Sequence, residues 1–407
     1  MLLGFGVRLG IQFLYFVLLA RTLEAEEYGA FIGVVALITV LAPFASWGSG
    51  NILIKYVSRD RRHFPRYWGA ALTTTLTSGL LLSALASLLT GLLFSWETAI
   101  RLALPVAVGD LIGVRLADVS GQAFQGLERL SRTSVLWILM SASRLLGVLV
   151  LLALPEASAE VWALLYAGSG LLAGILGLAW VIREEGLGPL SLKPMRGEWR
   201  EGFYFAMSLG AQGAYNDLDK TLLSRLASDA IAGVYAAAYR ALDALFIPMR
   251  ALLYASYPRF FRAGERGVRE SFSVALGLLP WGIAAGVLGM LASWVFSYLL
   301  PYLLGSSYAL SAEILRLLAP LLLFRAMHYL AADALTGAGY QGLRSATQVA
   351  VAFSNLLLNL WLIPLFSWRG AVWSSLISDG LLVMTLWMIL IALQRKEEKR
   401  ATQESYF

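Results

Sequence analysis

The sequence predicts an all-α polytopic membrane protein with about twelve transmembrane helices in two six-helix lobes. Its 407 residues are 58% hydrophobic and only 14% charged, with a mean hydropathy of +0.69. A soluble domain is about 45–50% apolar and about a quarter charged. Long apolar segments recur along the whole chain, and several polar landmarks repeat at a nearly constant offset. These observations indicate a bilayer as the solvent and a duplicated architecture.

A spanning helix needs about 20 mostly apolar residues. On that basis we predict twelve spans, at roughly 2–21, 28–54, 68–94, 99–125, 133–154, 160–182, 202–225, 230–258, 271–299, 309–335, 343–364 and 370–393. Arg8 interrupts the first apolar segment, so we interpret it as a retained span and not as a cleaved signal peptide. The predicted organisation is an N-terminal lobe (1–183), a cytoplasmic linker (184–201), a C-terminal lobe (202–394) and a cytoplasmic tail (395–407).

The lysines and arginines outside the spans predict the orientation of the chain. Twenty of the 32 lie in connections on the side of the N-terminus, and four lie in the connections on the opposite side. Cytoplasmic loops carry the excess of positive charge, so both termini are expected in the cytoplasm. We interpret these basic loops as orientation signals that contact anionic lipid headgroups, and expect no nucleic acid as a partner. The absence of cysteine excludes disulfides and thiolate metal sites.

The duplication is visible in two short segments. LLARTLEAEEYGAF (18–31) and LLSRLASDAIAGVY (222–235) align at an offset of 204, which pairs Gly29 with Gly233. The offset drifts to 216 further along, as a few inserted residues would produce. Each half holds six predicted spans, an even number, so both halves enter the membrane the same way up. We therefore expect pseudo-two-fold symmetry about the membrane normal, with the substrate site between the halves.

The first span, ending in LLARTL before YGAF (28–31), and the Asp-bearing seventh span leading into GVYAAAYR (233–240) carry a resemblance. They resemble the Wzx-type flippases of O-antigen and other lipid-linked oligosaccharides, in the MOP superfamily with MATE exporters and MurJ. The resemblance implies two lobes around a central cavity and transfer of undecaprenyl-diphosphate-linked oligosaccharide to the outer leaflet of a bacterial inner membrane. It implies a polyprenyl-diphosphate glycan, membrane lipids and polysaccharide assembly proteins as partners.

Charged residues within the spans are the candidate functional residues. Eight cations and seven aspartates lie there, although each charge costs about 2.5–3.5 kcal/mol at membrane depth. A guanidinium stays protonated and binds phosphate oxygens through two donors. We therefore predict that a cavity attracts the diphosphate through Arg8, Arg144, Arg240, Arg250 and Arg325. The alternative is that such arginines pair with the aspartates and hold helices together, which the spacing favours for Arg115 with Asp118.

A second candidate site concerns the ion that could drive transport. Asp217 precedes Lys220 by three residues, so we expect it to neutralise the lysine and leave Asp219 available. Asn355 and Asn359 lie one turn apart on the eleventh span at a similar depth. A carboxylate with two amide oxygens is suited to Na⁺ at Asp219, Asn355 and Asn359, and Asp219 could instead carry a proton. The alternative is an interhelical hydrogen-bond network. We predict no other cofactor.

Other functions remain open on the same fold. A MATE-type exporter of cations would favour acids in its cavity, but the spans hold more cations than acids. A MurJ-like lipid II flippase is disfavoured by a count of twelve spans, since MurJ proteins have fourteen. A polymerase, ligase or glycosyltransferase would need a large soluble loop and a nucleophile–base pair, and the sequence indicates neither. The sequence therefore predicts a flippase and not an enzyme.

Overall fold

The computed structural model describes the backbone of residues 2–404 and most of their side chains. The side chains outside the description are those of 2–7, 9, 201, 204, 205, 208, 209, 211, 212, 214, 258 and 400–404. Within the described range the chain forms helices joined by short connections, and no strand is present. The predicted all-α class is confirmed. The chain divides into two compact units, Met1–Gly233 and Val234–Phe407.

The first unit contains nine α-helices and the start of a tenth. They are α1 (Leu2–Ser46), α2 (Ser49–Val57), α3 (Phe64–Leu93), α4 (Trp96–Thr98), α5 (Leu104–Ala107), α6 (Arg115–Gly126), α7 (Leu130–Ala153), α8 (Ala159–Glu185), α9 (Trp199–Leu226) and the beginning of α10 (Asp229–Leu245). Two π-helical segments, Ala99–Ala103 and Val108–Val114, connect α4, α5 and α6. One irregular helix therefore replaces the regular helix expected at 99–125.

The second unit continues α10 and adds seven helices. They are α11 (Ile247–Gly264), α12 (Val268–Ser297), α13 (Leu300–Leu304), α14 (Ala309–Leu318), α15 (Pro320–Gly337), α16 (Gln341–Phe366) and α17 (Trp368–Glu404). Two consecutive pairs are sharply bent: α10 against α11 by 47°, and the segment from Ser306 to Leu318 against α15 by 45°. Each bent pair occupies one predicted span.

Seven helices in the described part of the chain are long and apolar enough to cross a membrane, or nine if each bent pair counts as one span. The chain is thus a multi-pass membrane protein. The remaining predicted spans are accounted for in two ways. One helix, α1, covers two of them across a break, while 99–125 and 202–225 fall on helical segments outside the apolar set. The total of twelve crossings therefore stays a prediction.

The lipid-facing character of these helices is evident in α12. Its outer face exposes large apolar side chains such as Trp281 and Leu288. Its buried face carries small residues at 271, 275, 282, 286, 293 and 297, spaced alternately by four and seven. Small residues let helix backbones approach closely in a bilayer, where apolar side chains gain little by leaving the lipid. Gly286 accordingly packs against the backbone of Leu323 on α15.

The two glycines paired by the repeat, Gly29 and Gly233, make close backbone contacts within the first unit. The first of them follows a break in α1 at Glu24, where φ is 58° and ψ is −177°. A Cβ on Gly29 would overlap the carbonyl of Asp229, and a Cβ on Gly233 would overlap that of Ala25. The offset of 204 relates Gly29 to Gly233 and Ala25 to Asp229. The two contacts are therefore equivalent under the predicted repeat, and only glycine permits them.

The connection between α8 and α9 is fastened to the first unit at both ends. Glu185 lies 2.9 Å from Arg61 and 2.7 Å from Arg129. Near the other end, the Tyr56 hydroxyl donates to Glu198 across 2.5 Å. The predicted linker is thus held by side-chain contacts against the segment that runs from α2 to the start of α3. The predicted boundaries of the two lobes remain a prediction.

Candidate functional site

The bend between α10 and α11 brings charged residues of the second unit together. Asp243 lies in the last turn of α10, and Arg250 lies in the first turn of α11. Pro248 also lies at the start of α11, where its missing N–H group costs no helical hydrogen bond. Seven residues span about 10.5 Å along a straight helix. The 47° bend lets the long Arg250 side chain reach back to Asp243.

A single carboxylate oxygen is shared by two guanidinium groups at this bend. Asp243 Oδ1 lies 3.0 Å from Nη1 of Arg325 on α15 and 3.4 Å from Nη2 of Arg250. The side chains of Asp243 and Arg250 are 42% and 52% exposed, whereas that of Arg325 is 9% exposed. Two cations thus converge on one accessible anionic oxygen.

Arg325 also lies close to two buried side chains, those of Asp379 and Tyr239. Arg325 Nε lies 3.8 Å from Oδ2 of Asp379 on α17, and His328 Nε2 lies 3.1 Å from Oδ1 of the same carboxylate. The ring centre of Tyr239 is 5.4 Å from the guanidinium carbon of Arg325. The charge of Arg325 is therefore balanced on two sides, by the buried Asp379 and the accessible Asp243.

In the first unit, Arg144 belongs to a compact polar triad. Its Nη2 lies 3.0 Å from Oδ1 of Asp110, and the hydroxyl of Tyr166 donates to the same oxygen across 2.8 Å. Asp110 lies in the π-helical segment that precedes α6. Gly109 and Gly113 in this segment pack directly on the backbone of α8, which brings Asp110 to Tyr166. π-Helical turns are frequent at functional sites.

Two other predicted arginines have different surroundings. Arg8 is half-buried, with its guanidinium carbon 5.4 Å from the ring centre of Trp137. Its Nε atom is buried without a hydrogen-bond partner among the residues that the structure describes. Arg240 is exposed on α10, one turn before Asp243.

The structure separates the predicted arginines by their partners. Arg144 and Arg325 have no acid one turn away on their own helices, but each pairs with aspartates of other helices. The predicted pair of Arg115 with Asp118 is confirmed at 3.1 Å. Sequence spacing reveals pairs within one helix, and it missed Asp110, Tyr166, Asp379 and His328 as partners across helices. That the arginines bind a diphosphate remains a prediction.

The expected charge arrangement on α9 was wrong in one respect. Lys220 Nζ lies 3.1 Å from Asp217 Oδ1, as expected, but it also lies 3.2 Å from Oδ1 of Asp219. Asp219 is buried and shares this ammonium group. One flexible lysine can reach carboxylates on two sides of the helix, which an argument from helical faces did not consider. A cation at Asp219 would therefore have to compete with Lys220.

The two asparagines form a network on α16 and α17 of the second unit. Asn359 Nδ2 donates to Oδ1 of Asn355 across 2.9 Å, and Asn355 Nδ2 donates to Ser378 Oγ across 3.0 Å. The interhelical hydrogen bonds of the alternative interpretation are thus present. Asn359 Oδ1 is buried without a donor among the described residues, so its chemistry also suits an oxygen ligand of Na⁺. The Na⁺ or H⁺ site remains a prediction.

No group of three or more His, Cys, Asp or Glu side chains within the described part of the chain could hold a metal ion. Among the side chains that the structure describes, charged groups within the predicted spans form the arginine–aspartate groups and the Asp217–Asp219–Lys220 cluster. Charges of this kind inside a membrane bundle are typical of transporters and flippases, where they mark the paths of substrates and ions. The fold and these clusters place the protein in that class.

The chain belongs to the family described as "Polysaccharide biosynthesis protein", whose family model matches residues 1–263. This confirms the predicted family, to which the Wzx-type flippases belong. A search of the curated proteins finds no match.

Solved structures of the MOP superfamily share the fold over nearly the whole chain. An inward-facing MATE multidrug resistance transporter aligns over 96% of this chain and 98% of its own, at 15% identity and a TM-score of 0.77. The lipid II flippase MurJ, in an inward closed conformation, aligns over 96% and 87%, at 13% identity and a TM-score of 0.74. A MOP transporter from Pyrococcus furiosus aligns over 96% and 95%, at 14% identity and a TM-score of 0.64. The predicted MATE-like and MurJ-like fold is confirmed.

Proposed function

We propose that this protein is a flippase that carries undecaprenyl-diphosphate-linked oligosaccharide from the cytoplasmic to the outer leaflet of a bacterial inner membrane. It works by alternating access, with both termini in the cytoplasm. No bond is made or broken, because the barrier is the transfer of a charged diphosphate and its sugars through hydrocarbon. The surrounding lipids and polysaccharide assembly proteins are its partners.

The arrangement of Arg250, Asp243 and Arg325 carries this proposal. Two guanidinium groups converge on one oxygen, and a phosphate oxygen would satisfy the same donors. Arginine keeps its charge in a low-dielectric environment, so it can attract an anion throughout the transport cycle. A small cation would find no unneutralised carboxylate here, because Asp243 and Asp379 already face guanidinium groups.

Arg8 adds support from the first unit. Its buried Nε atom lacks an acceptor among the described residues, and an unmade hydrogen bond at a charged group is costly. A phosphate oxygen would supply that acceptor. Arg144 is already compensated by Asp110, so we assign it a secondary role in attracting the cargo.

Two alternatives follow from the structural neighbours. A MATE-type exporter would carry a small cation, which the arginine pair disfavours. The Pyrococcus furiosus neighbour is described as having a binding pocket of reverse polarity that suggests a different function, and this supports the idea that pocket polarity varies on the fold. A MurJ-like flippase would carry lipid II, which also bears a polyprenyl diphosphate. Only identification of the cargo separates lipid II from other glycans.

Mass spectrometry of the lipids that co-purify with the protein tests the cargo. We expect a polyprenyl-diphosphate glycan, and the masses of its sugars would identify it. Recovery of lipid II would assign the MurJ-like alternative. If no diphosphate lipid is retained and the purified protein binds cationic drugs instead, the proposal is wrong.

Translocation in proteoliposomes tests the arginine pair. A fluorescent polyprenyl diphosphate placed in one leaflet is scored by its accessibility to a membrane-impermeant quencher. Arg250→Gln and Arg325→Lys should each slow translocation at least about tenfold, because a hydrogen bond to a charged group contributes about 1.5–3 kcal/mol. Arg369→Gln is the matched control for Arg250→Gln, since Arg369 is similarly exposed but pairs with Glu313, which is not part of this site. Wild-type rates in both site variants would contradict the assignment.

A further inference from the structure

Asp243 occupies the position where an anionic cargo would meet the arginine pair. Its Oδ1 atom is the acceptor for both Arg325 and Arg250, at 3.0 Å and 3.4 Å. A carboxylate and a phosphate monoanion present oxygens of similar size and charge to such donors. The chain therefore supplies an acceptor of its own at this pair of guanidinium groups.

We propose that Asp243 is a built-in competitor for the cargo diphosphate: it binds Arg250 and Arg325 when cargo is absent, yields them when cargo arrives, and returns to release it. This inference rests on the proposed function, because it assumes that the arginine pair binds a diphosphate. It assigns Asp243 a role in release, whereas the sequence indicated the arginines alone.

The exposure of the partners identifies Asp243 as the exchangeable acid. Its side chain is 42% exposed, whereas that of Asp379, the other acid near Arg325, is 2% exposed. Asp379 also lies 3.1 Å from His328 Nε2 in this buried region. When Asp243 withdraws, Arg325 keeps a buried counter-charge and stays in place. Asp379 is thus the permanent counter-ion and Asp243 the exchangeable one.

The bend at Phe246 gives Asp243 a place where it can move. Asp243 lies just before the break between α10 and α11, and Arg250 lies just after it. A change in this bend would alter the distance between Asp243 and Arg250, whereas Arg325 and Asp379 lie on α15 and α17, outside the bend. The Arg144–Asp110 pair contrasts with this arrangement, because both side chains are largely buried and Tyr166 also holds the carboxylate.

A competing carboxylate is useful because a transport site must bind its cargo and then release it. An arginine pair with no acid of its own would bind a diphosphate tightly, and the diphosphate would dissociate slowly. An internal carboxylate lowers the affinity for cargo and speeds release, since Asp243 returns to both guanidinium groups as the cargo leaves. Removing the charge of Asp243 should therefore strengthen binding and slow turnover, which is the opposite of the loss expected from a merely structural ion pair.

The test measures binding and translocation in the full-length protein. The probes are inorganic pyrophosphate for binding to purified protein, and a fluorescent polyprenyl diphosphate for translocation in proteoliposomes. Asp243→Asn and Asp243→Ser remove the charge in two different ways, so that failure of one variant to fold leaves the other. Asp243→Glu keeps the charge. Asp333→Asn is the matched control, because Asp333 lies in the same unit and pairs with Arg344 away from this site.

We expect both neutral variants to bind pyrophosphate about tenfold more tightly than the wild type and to translocate more slowly, because one competing charged hydrogen-bond acceptor is lost. Asp333→Asn should bind as the wild type does, and Asp243→Glu, which keeps the competing charge, should not show the tenfold gain in affinity. If the wild type binds pyrophosphate but the neutral variants bind equally or more weakly, the competitor role is overturned while the proposed function stands. If the wild type binds no pyrophosphate and moves no diphosphate lipid, both fall.

Discussion

Lys220 is the residue that any coupling cation at Asp219 must displace. Its ammonium group lies within 3.2 Å of both Asp217 and Asp219, and it also donates to the carbonyl of Asn216 across 2.6 Å. Such a lysine can leave one carboxylate and keep the other. Exchange of the ammonium for Na⁺, or protonation of Asp219, would therefore change the charge of α9 without exposing an unpaired lysine.

Asp219→Asn should remove the dependence of translocation on Na⁺ or on pH, because the amide neither carries a proton nor attracts a cation strongly. The measurement is the translocation rate in proteoliposomes with an imposed Na⁺ gradient and, separately, a pH gradient. Asp217→Asn is the control, since it leaves the buried carboxylate and its lysine in place. A gradient response in Asp219→Asn equal to that of the wild type would refute the coupling role.

At the residue scale, the sequence could predict pairs within one helix but not pairs across helices. The separation of Arg115 and Asp118 sufficed, because side chains three residues apart share a helical face. Nothing comparable links Arg144 to Asp110 or Arg325 to Asp379, since those contacts depend on how helices pack. The depth and number of the charges implied that partners exist. Their identity required the fold.

At the element scale, the contact between α12 and α15 depends on small residues of α12. The small residues on the buried face of α12 recur at intervals of four and seven in the sequence. The sequence does not indicate which helix packs against them. The same holds for the π-helical segment before α6, where glycines bring Asp110 to α8. Hydropathy predicts that such segments lie in the membrane.

Gly286→Ala should destabilise the second unit by about 1–3 kcal/mol, because the added methyl overlaps the Leu323 backbone and well-packed interfaces tolerate extra atoms poorly. Gly277→Ala is the control on the same helix, where a Cβ would meet no atom within 4 Å. This control should be neutral or slightly stabilising, since alanine favours helix over glycine. Thermal unfolding in detergent measures both, and equal midpoints for the two variants would show that the contact is unimportant.

At the scale of the whole molecule, the distribution of basic residues predicts one orientation for both units. Helix α9 carries Asp217, Asp219 and Lys220 and lies outside the set of helices apolar enough to cross a membrane. Its predicted crossing therefore needs a direct test. If α9 crosses, three spans separate residue 197 from residue 302, and these positions lie on opposite sides of the membrane. If it does not cross, they lie on the same side.

Single cysteines can decide this question because the natural chain contains none. A membrane-impermeant maleimide should label Ala157→Cys and Tyr302→Cys in intact cells, since both positions are exposed in connections predicted to face outward. It should label Gly197→Cys and Gly342→Cys only after permeabilisation. Both of these glycines are exposed, and a Cβ would meet no atom within 4 Å at either.

Labelling of residues 197 and 302 from the same side would remove α9 from the set of spans. The second half would then hold an odd number of spans, and the two halves would no longer share one orientation. Labelling of 157 and 302 from opposite sides would show that the halves are inverted, and an axis along the membrane normal could then not relate them.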